Sequence, residues 1–118
     1  MKLGIVGSGG IVKDVLIALK PINTIEIQAI WVRPHSEAKG QTLAQENNIP
    51  QVYTDYEAFL GQADIDTAYI ALVNSAHYEY AKKALLAGHN VIVEKPFGSN
   101  LREVQELVHL AKEKNLFL

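Results

Sequence analysis

The residues best equipped for chemistry are Glu94 and Lys95, in a run from Val91 to Pro96 that reads Val-Ile-Val-Glu-Lys-Pro. A β-branched run without polar alternation suits a strand covered on both faces, as in a parallel sheet. Ligands of such sheets gather beyond the carboxyl ends of the strands, which is where this carboxylate and ammonium would sit. That placement makes Lys95 the leading candidate for a catalytic group. Read alone, both residues are better explained as solvated loop charges, because Lys and Glu are mostly exposed.

A second chemistry is spelled out near the amino terminus by Gly7-Ser8-Gly9-Gly10-Ile11-Val12. It follows an apolar strand and opens a helix, as the first two glycines of a dinucleotide fingerprint do. The first glycine permits a tight turn, the second lets the backbone approach a pyrophosphate, and the helix amino terminus offers free N–H groups. Val12 stands where a small third residue normally lets helix and strand pack closely, so a shifted helix or looser turn is expected. A glycine turn without any ligand is the alternative. After the second strand, Trp31-Val32-Arg33-Pro34 lacks the acid that usually binds the ribose 2′-hydroxyl of NAD. Arg33 could instead pair with a 2′-phosphate or stack on adenine, which leans the reading towards NADP; a plain surface charge is the other option.

The elements that must position these residues alternate between strand and helix, as the hydrophobic period switches between about 2 and 3.6. Leu3 to Val6 reads as the first strand, and Ile11, Val15, Leu16 and Leu19 as one helical face closed by Pro21. Ile25 to Val32 is a second strand with Ile25, Ile27, Ala29 and Trp31 on one side. Ser36 can cap a helix to about Asn47 with Ala38, Leu43 and Ala44 inward. Val52 and Tyr53 form a third strand. Thr54 to Glu57 has capping-box spacing for a helix carrying Phe59 and Leu60 and ended by Gly61. Thr67 to Val73 is a fourth strand, and Asn74-Ser75 offers caps for a helix with Tyr78, Ala81, Leu85 and terminal Gly88. Val91 to Val93 is the fifth. A last helix, capped near Ser99 or Asn100, carries Leu101, Val104, Leu107, Val108 and Ala111, with Lys112 and Lys114 at its negative end. Leu116 to Leu118 reads as a sixth strand just beginning.

The 118 residues, 48% of them hydrophobic, suffice for one core, so residues 1–118 are expected to be one domain. Eleven basic and thirteen acidic residues are interspersed, with net charge −2 and no basic stripe, so no nucleic acid partner is expected. The lack of cysteine rules out disulfides, thiolate metal sites and a cysteine nucleophile. No metal site is read. No apolar run approaches the roughly 18 residues that span a bilayer, so a cytoplasmic protein without a membrane partner is expected.

With the glycine turn, Arg33, Asn74, His77 and Glu94-Lys95-Pro96 considered together, the chain resembles the amino-terminal half of the glucose-fructose oxidoreductase, inositol dehydrogenase and MocA family. The resemblance covers essentially all 118 residues. Its most specific marker is Glu94-Lys95-Pro96, joined by Asn74 and His77 after the fourth strand and by Ser99-Asn100-Leu101. The family's Pro-Asn-x-x-His is here Val73-Asn74-Ser75-Ala76-His77, with Val73 replacing the proline. The resemblance implies an α/β fold, a doubly wound parallel Rossmann sheet of order 3-2-1-4-5-6 in one three-layer domain, binding NADP or NAD. By similarity, Gly7, Ser8, Gly9, Gly10 and Ile11 cradle the cofactor, while Leu72, Val73, Asn74 and His77 border its ribose and nicotinamide. Asn74 as a plain helix cap and His77 as a first-turn polar residue are the alternatives. Lys95 would bond the reacting substrate oxygen, with Glu94 near the nicotinamide ribose and a Lys95–Pro96 peptide that is often cis in the family. An ammonium there can steady developing oxyanion character.

Family members are much longer than this chain, and their second domain supplies most of the substrate pocket, a partner for the lysine and usually the oligomer interface. The expectation is therefore a piece of a longer protein, truncated at the sixth strand, inactive alone, and prone to edge pairing or homo-oligomer formation. The parent would move a hydride between nicotinamide and a sugar-like or cyclitol-like alcohol or carbonyl. The alternatives are a non-catalytic nucleotide-binding sensor or regulatory module, and a Rossmann domain for another adenine ligand such as S-adenosylmethionine.

Overall fold

Strands and helices alternate along the chain because its hydrophobic period does. The computed structural model describes residues 1–22, 24–72, 74–93 and 101–117, the side chains of residues 10, 11, 74–77 and 101 excepted. The strands are β1 (Lys2–Val6), β2 (Glu26–Trp31), β3 (Gln51–Tyr53), β4 (Thr67–Ile70) and β5 (Asn90–Val93). The helices are α1 (Gly10–Leu19), α2 (Glu37–Asn47), α3 (Tyr56–Gln62), α4 (Asn74–Leu86) and α5 (Leu101–Glu113). The strands form a parallel sheet in the order β3-β2-β1-β4-β5. The chain thus winds outward from β1 to β3, crosses back, and winds outward again from β4.

Each face of the sheet has its own core. On one, Leu3, Ile5, Ile30 and Val32 meet Val12 and Leu16 of α1 and Leu43 and Ala44 of α2. On the other, Val6, Ala29, Trp31, Ala68, Ile70 and Val91 meet residues of α3, α4 and α5, among them Phe59, Leu85 and Leu107. Burial on both faces explains why these strands read as near-continuous apolar runs. Among the described residues, no helix is long and apolar enough to cross a membrane.

The second strand corrects the simple alternation. Leu3 pairs with Ile27 but Gly4 with Ala29, so Gln28 is an extra residue and the side-chain phase slips there. Ile25 and Ile27 consequently pack with the α1–α2 core, while Ala29 and Trp31 belong to the opposite one. In α2 the expected inward Ala38 is exposed, and Gly40, Leu43 and Ala44 are buried instead. A β-carbon on Gly40 would lie 2.8 Å from Cγ2 of Val32, so the bare backbone is itself the packing surface.

Helix ends differ from expectation in detail. Ser36 sits at the amino-terminal cap of α2 but makes no side-chain cap bond; a 3-10 turn, Pro34–Ser36, feeds the helix instead. At α3 the cap is Asp55, not Thr54: its side chain accepts hydrogen bonds from the N–H groups of Glu57 (3.0 Å) and Ala58 (3.3 Å). That helix runs through Gly61 to Gln62. Gly88, at φ 90°, closes α4 as expected, with His89 N–H donating to the Ala84 carbonyl. The cap residues expected for α5, Ser99 and Asn100, lie outside the described residues, and Val108 on that helix is 38% exposed rather than core.

β4 ends at Ile70 rather than Val73, although Ala71 N–H still donates to the Val6 carbonyl. Leu116 and Phe117 form no strand, but Phe117 lies beside β5 at the sixth position. Its carbonyl accepts from Val91 N–H (3.1 Å), and its own N–H donates to Oδ1 of Asn90 (3.0 Å). Leu118 lies outside the described residues.

Replacing a side chain that satisfies two helix N–H groups should cost about 1 kcal/mol. Asp55→Ala is expected to lose that much in urea denaturation, and Thr54→Ala to stay close to wild type. The reverse order would return the cap to Thr54.

Candidate functional site

The outward windings to β3 and to β5 diverge between β1 and β4, and a doubly wound sheet opens a crevice at such a point beyond the carboxyl ends of its strands. Gly7 stands at its base. Its N–H donates to the Trp31 carbonyl at the end of β2 (2.8 Å). Its φ of 127° lies where side-chain-bearing residues are strained. A β-carbon there would come within 2.5 Å of the Ala71 carbonyl oxygen and 3.2 Å of Cδ2 of Leu72. The turn is thus wedged between the residues that leave β2 and β4, and only glycine fits.

Gly9 is the opposite case. It caps α1 in an extended conformation (φ −75°, ψ −174°), is exposed, and has nothing within 4 Å of an added β-carbon. Its carbonyl accepts from Val12 N–H (3.0 Å), so α1 begins immediately, with Gly10 and Ile11 in its first turn. No acidic side chain occupies that turn. The first N–H groups of α1 have no partner within the helix, and the positive end of its dipole lies beside the open space over Gly9, an arrangement suited to a phosphate or pyrophosphate. Ser8, half-buried, lies between the two glycines. Val12 is fully buried in the α1–α2 core, and the Gly7–Trp31 bond is made despite its bulk.

Val6 pairs with Trp31, so Gly7-Ser8 and Val32-Arg33 leave the sheet from neighbouring strand ends. Arg33 is half-exposed and extended (φ −63°, ψ 150°), and among the described residues its side chain has neither an ion-pair nor a hydrogen-bond partner. Leu72, half-buried, walls the far side of Gly7. Asn74 is the first residue of α4 and His77 lies in its first turn, so the helix starts at Asn74 itself, one residue before the expected cap would place it. The side chains of Asn74 and His77 lie outside the described residues, as do Val73 and the whole of Glu94, Lys95 and Pro96. Val93, the last described residue before them, pairs with Ile70 at the carboxyl edge.

The structure therefore brings together Gly7, Ser8, Gly9, the start of α1, Arg33 and Leu72. Sequence reading missed two groups there, the carbonyls of Trp31 and Ala71 that hold and confine Gly7. Backbone atoms leave no mark in the residue letters. Among the described residues, no group of three or more His, Cys, Asp or Glu side chains could hold a metal ion.

Residues 1–118 match the family model described as the oxidoreductase family with NAD-binding Rossmann fold, Gfo/Idh/MocA. Trans-1,2-dihydrobenzene-1,2-diol dehydrogenase of Xenopus tropicalis is 32% identical over 117 residues, 99% of this chain and 36% of that protein. The Mus musculus protein of the same name is 33% identical over 118 residues, 100% of this chain and 35% of its own length. The chain thus spans little more than a third of these relatives. A 3-ketoreductase from Actinomadura kijaniata, in complex with TDP-benzene and NADP, superposes with a TM-score of 0.92 at 28% identity, over 100% of this chain and 37% of that one. Biliverdin reductase from Synechocystis, with biliverdin and NADP+, gives 0.86 at 26% identity, over 98% of this chain and 36% of its own.

The two glycines should separate in stability. Gly7→Ala forces a side chain onto a carbonyl at a strained φ and is expected to cost about 1–3 kcal/mol. Gly9→Ala enters open space and should stay within about 0.5 kcal/mol of wild type. Equal midpoints in urea for both variants would refute the wedge at Gly7.

Proposed function

Because the chain belongs to the Gfo/Idh/MocA oxidoreductase family with its NAD-binding Rossmann fold, we propose that residues 1–118 are the dinucleotide-binding domain of a nicotinamide-dependent oxidoreductase acting on CH–OH groups. The observation that carries this reading is the open space over Gly9 at the start of α1, beside a Gly7 that packing alone explains. A glycine needed only for the turn would be hemmed in as Gly7 is.

In this reading the N–H groups of Gly9, Gly10 and Ile11 bind the pyrophosphate, and Leu72 excludes water from one side. Val73, Asn74 and His77 border the ribose and nicotinamide, with Glu94 and Pro96 completing that wall. Arg33, unpaired among the described residues, takes the 2′-phosphate, which favours NADP over NAD. The bound nicotinamide supplies hydride chemistry. Lys95 Nζ donates a hydrogen bond to the substrate oxygen and holds its developing negative charge, giving up or taking a proton as that oxygen changes between carbonyl and alcohol.

The names of similar proteins include a dihydrobenzenediol dehydrogenase, a 3-ketoreductase and a scyllo-inositol dehydrogenase. A cyclic alcohol or carbonyl, sugar-like or cyclitol-like, is the substrate class in keeping with them. Its pocket would belong largely to sequence outside this chain, which alone is therefore inactive. The protein works in the cytoplasm in this reading, without nucleic acid or membrane.

Calorimetric titration with NADPH, NADH and S-adenosylmethionine tests the ligand. NADPH should bind best, and heat with S-adenosylmethionine alone would end the nicotinamide reading. Gly9→Ala should weaken NADPH at least about tenfold, and Arg33→Ala should cost about tenfold for NADPH with little change for NADH, the loss of one charge-assisted contact. In a longer protein carrying this domain, Lys95→Ala should lower kcat about 100-fold while NADPH affinity holds. An unchanged kcat would remove Lys95 from the chemistry.

A further inference from the structure

Trp31 is the chain's single tryptophan, and it ends β2. Its carbonyl holds Gly7 N–H, while its ring lies on the other side of the sheet from α1, 3% exposed. The ring meets Tyr56 of α3 edge-on (centroids 5.3 Å apart, 67°) and Tyr80 of α4 at a tilt (5.1 Å, 42°). The two tyrosines are themselves edge-on at 4.6 Å, and the Tyr56 hydroxyl donates to the Tyr80 carbonyl (2.8 Å). Burial, with Tyr80 and Glu57 adding to it, pushes the Tyr56 phenol well above its ordinary pKa, so it remains a neutral donor. Three rings and one hydrogen bond thus tie the end of β2 to the start of α3 and the second turn of α4.

One detail argues that this cluster is more than filling. Among the described residues the Trp31 indole N–H is buried with no hydrogen-bond partner, a cost that a phenylalanine or leucine would avoid. What an indole offers in exchange is reach. The end of β2 carries Arg33 and holds the glycine turn; the start of α4 carries Asn74 and His77. These are the two banks of the crevice, and a dinucleotide must touch both at once.

We propose that Trp31 is a positioning residue that sets the spacing between these banks, so that the two halves of a dinucleotide engage together. The inference rests on the dinucleotide reading and extends it. A ligand that binds through two linked parts gains affinity only when both sites are correctly spaced, and loses that gain without any change in either contact. Disturbing the spacing should therefore weaken the whole dinucleotide while leaving its adenosine half alone.

The test is calorimetric titration of wild type, Trp31→Leu and Trp31→Phe with NADPH and with 2′,5′-ADP, which reaches only the β2 bank. Trp31→Leu is expected to weaken NADPH about tenfold while 2′,5′-ADP stays within about twofold, and Trp31→Phe, a ring of shorter reach, to recover only part of the loss. Should Trp31→Leu not fold, Tyr80→Leu removes the opposing wall and should give the same split. NADPH affinity unchanged in the folded variants, or an equal loss for both ligands, overturns the inference and leaves the dinucleotide reading standing. Wild-type protein that binds neither ligand overturns both.

Discussion

The hydrogen bond from Gly7 N–H to the Trp31 carbonyl is the contact from which the candidate site is measured. It forms where three strand ends converge, and it requires a residue with no side chain, because the Ala71 carbonyl occupies the space a β-carbon would need. Once that bond is made, the chain leaves β1 at one angle only. α1 then begins three residues later with its amino terminus turned to open space, and Arg33 and Leu72 stand on either side. A backbone bond sets this geometry, so side-chain variation elsewhere can be wide without moving the turn.

The sheet supports this arrangement by being loaded from both faces. Leu3 and Ile5 press against α1, and Val6 belongs to the core beneath α4. Neither core could be lost without freeing the strand end that carries Gly7. Alternation puts Trp31 and Val32 on opposite sides, and the extra residue at Gln28 sets which core each one enters, so the last two positions before Arg33 are anchored in both. Pinning in both directions is how a loop arginine acquires a fixed base.

Much of this was legible in the residues. Apolar runs with alternating periods announced a parallel sheet with helices between its strands, and Gly7 and Gly9 announced a tight turn that opens a helix. Gly88 announced the end of its helix because positive φ is costly for other residues. What escaped did so for physical reasons. Thr54 and Asp55 are neighbouring oxygen-bearing residues, both competent caps, and only the path of the backbone chooses between them. Gly40 has no side chain to register in a count of apolar positions, yet it forms the contact surface of α2 with Val32. The phase slip at Gln28 is invisible because residues on both sides of it are apolar and both sheet faces are buried, so either alternation looks satisfactory. Trp31 and Ala71 contribute carbonyls, which every residue has.

That phase slip also bears on how the chain can drift over evolutionary time. A residue gained or lost in the turn that leads into β2 changes only a loop. A residue lost at Gln28 would act as a frameshift in three dimensions, exchanging the faces of strand residues on one side of it relative to those on the other. Trp31 and Val32 could then keep their sides only if the strand before them rolled over instead. Gaps among homologous chains should accordingly collect in the turn before β2 and avoid its middle, making a polar residue of ordinary appearance one of the least negotiable lengths in the molecule.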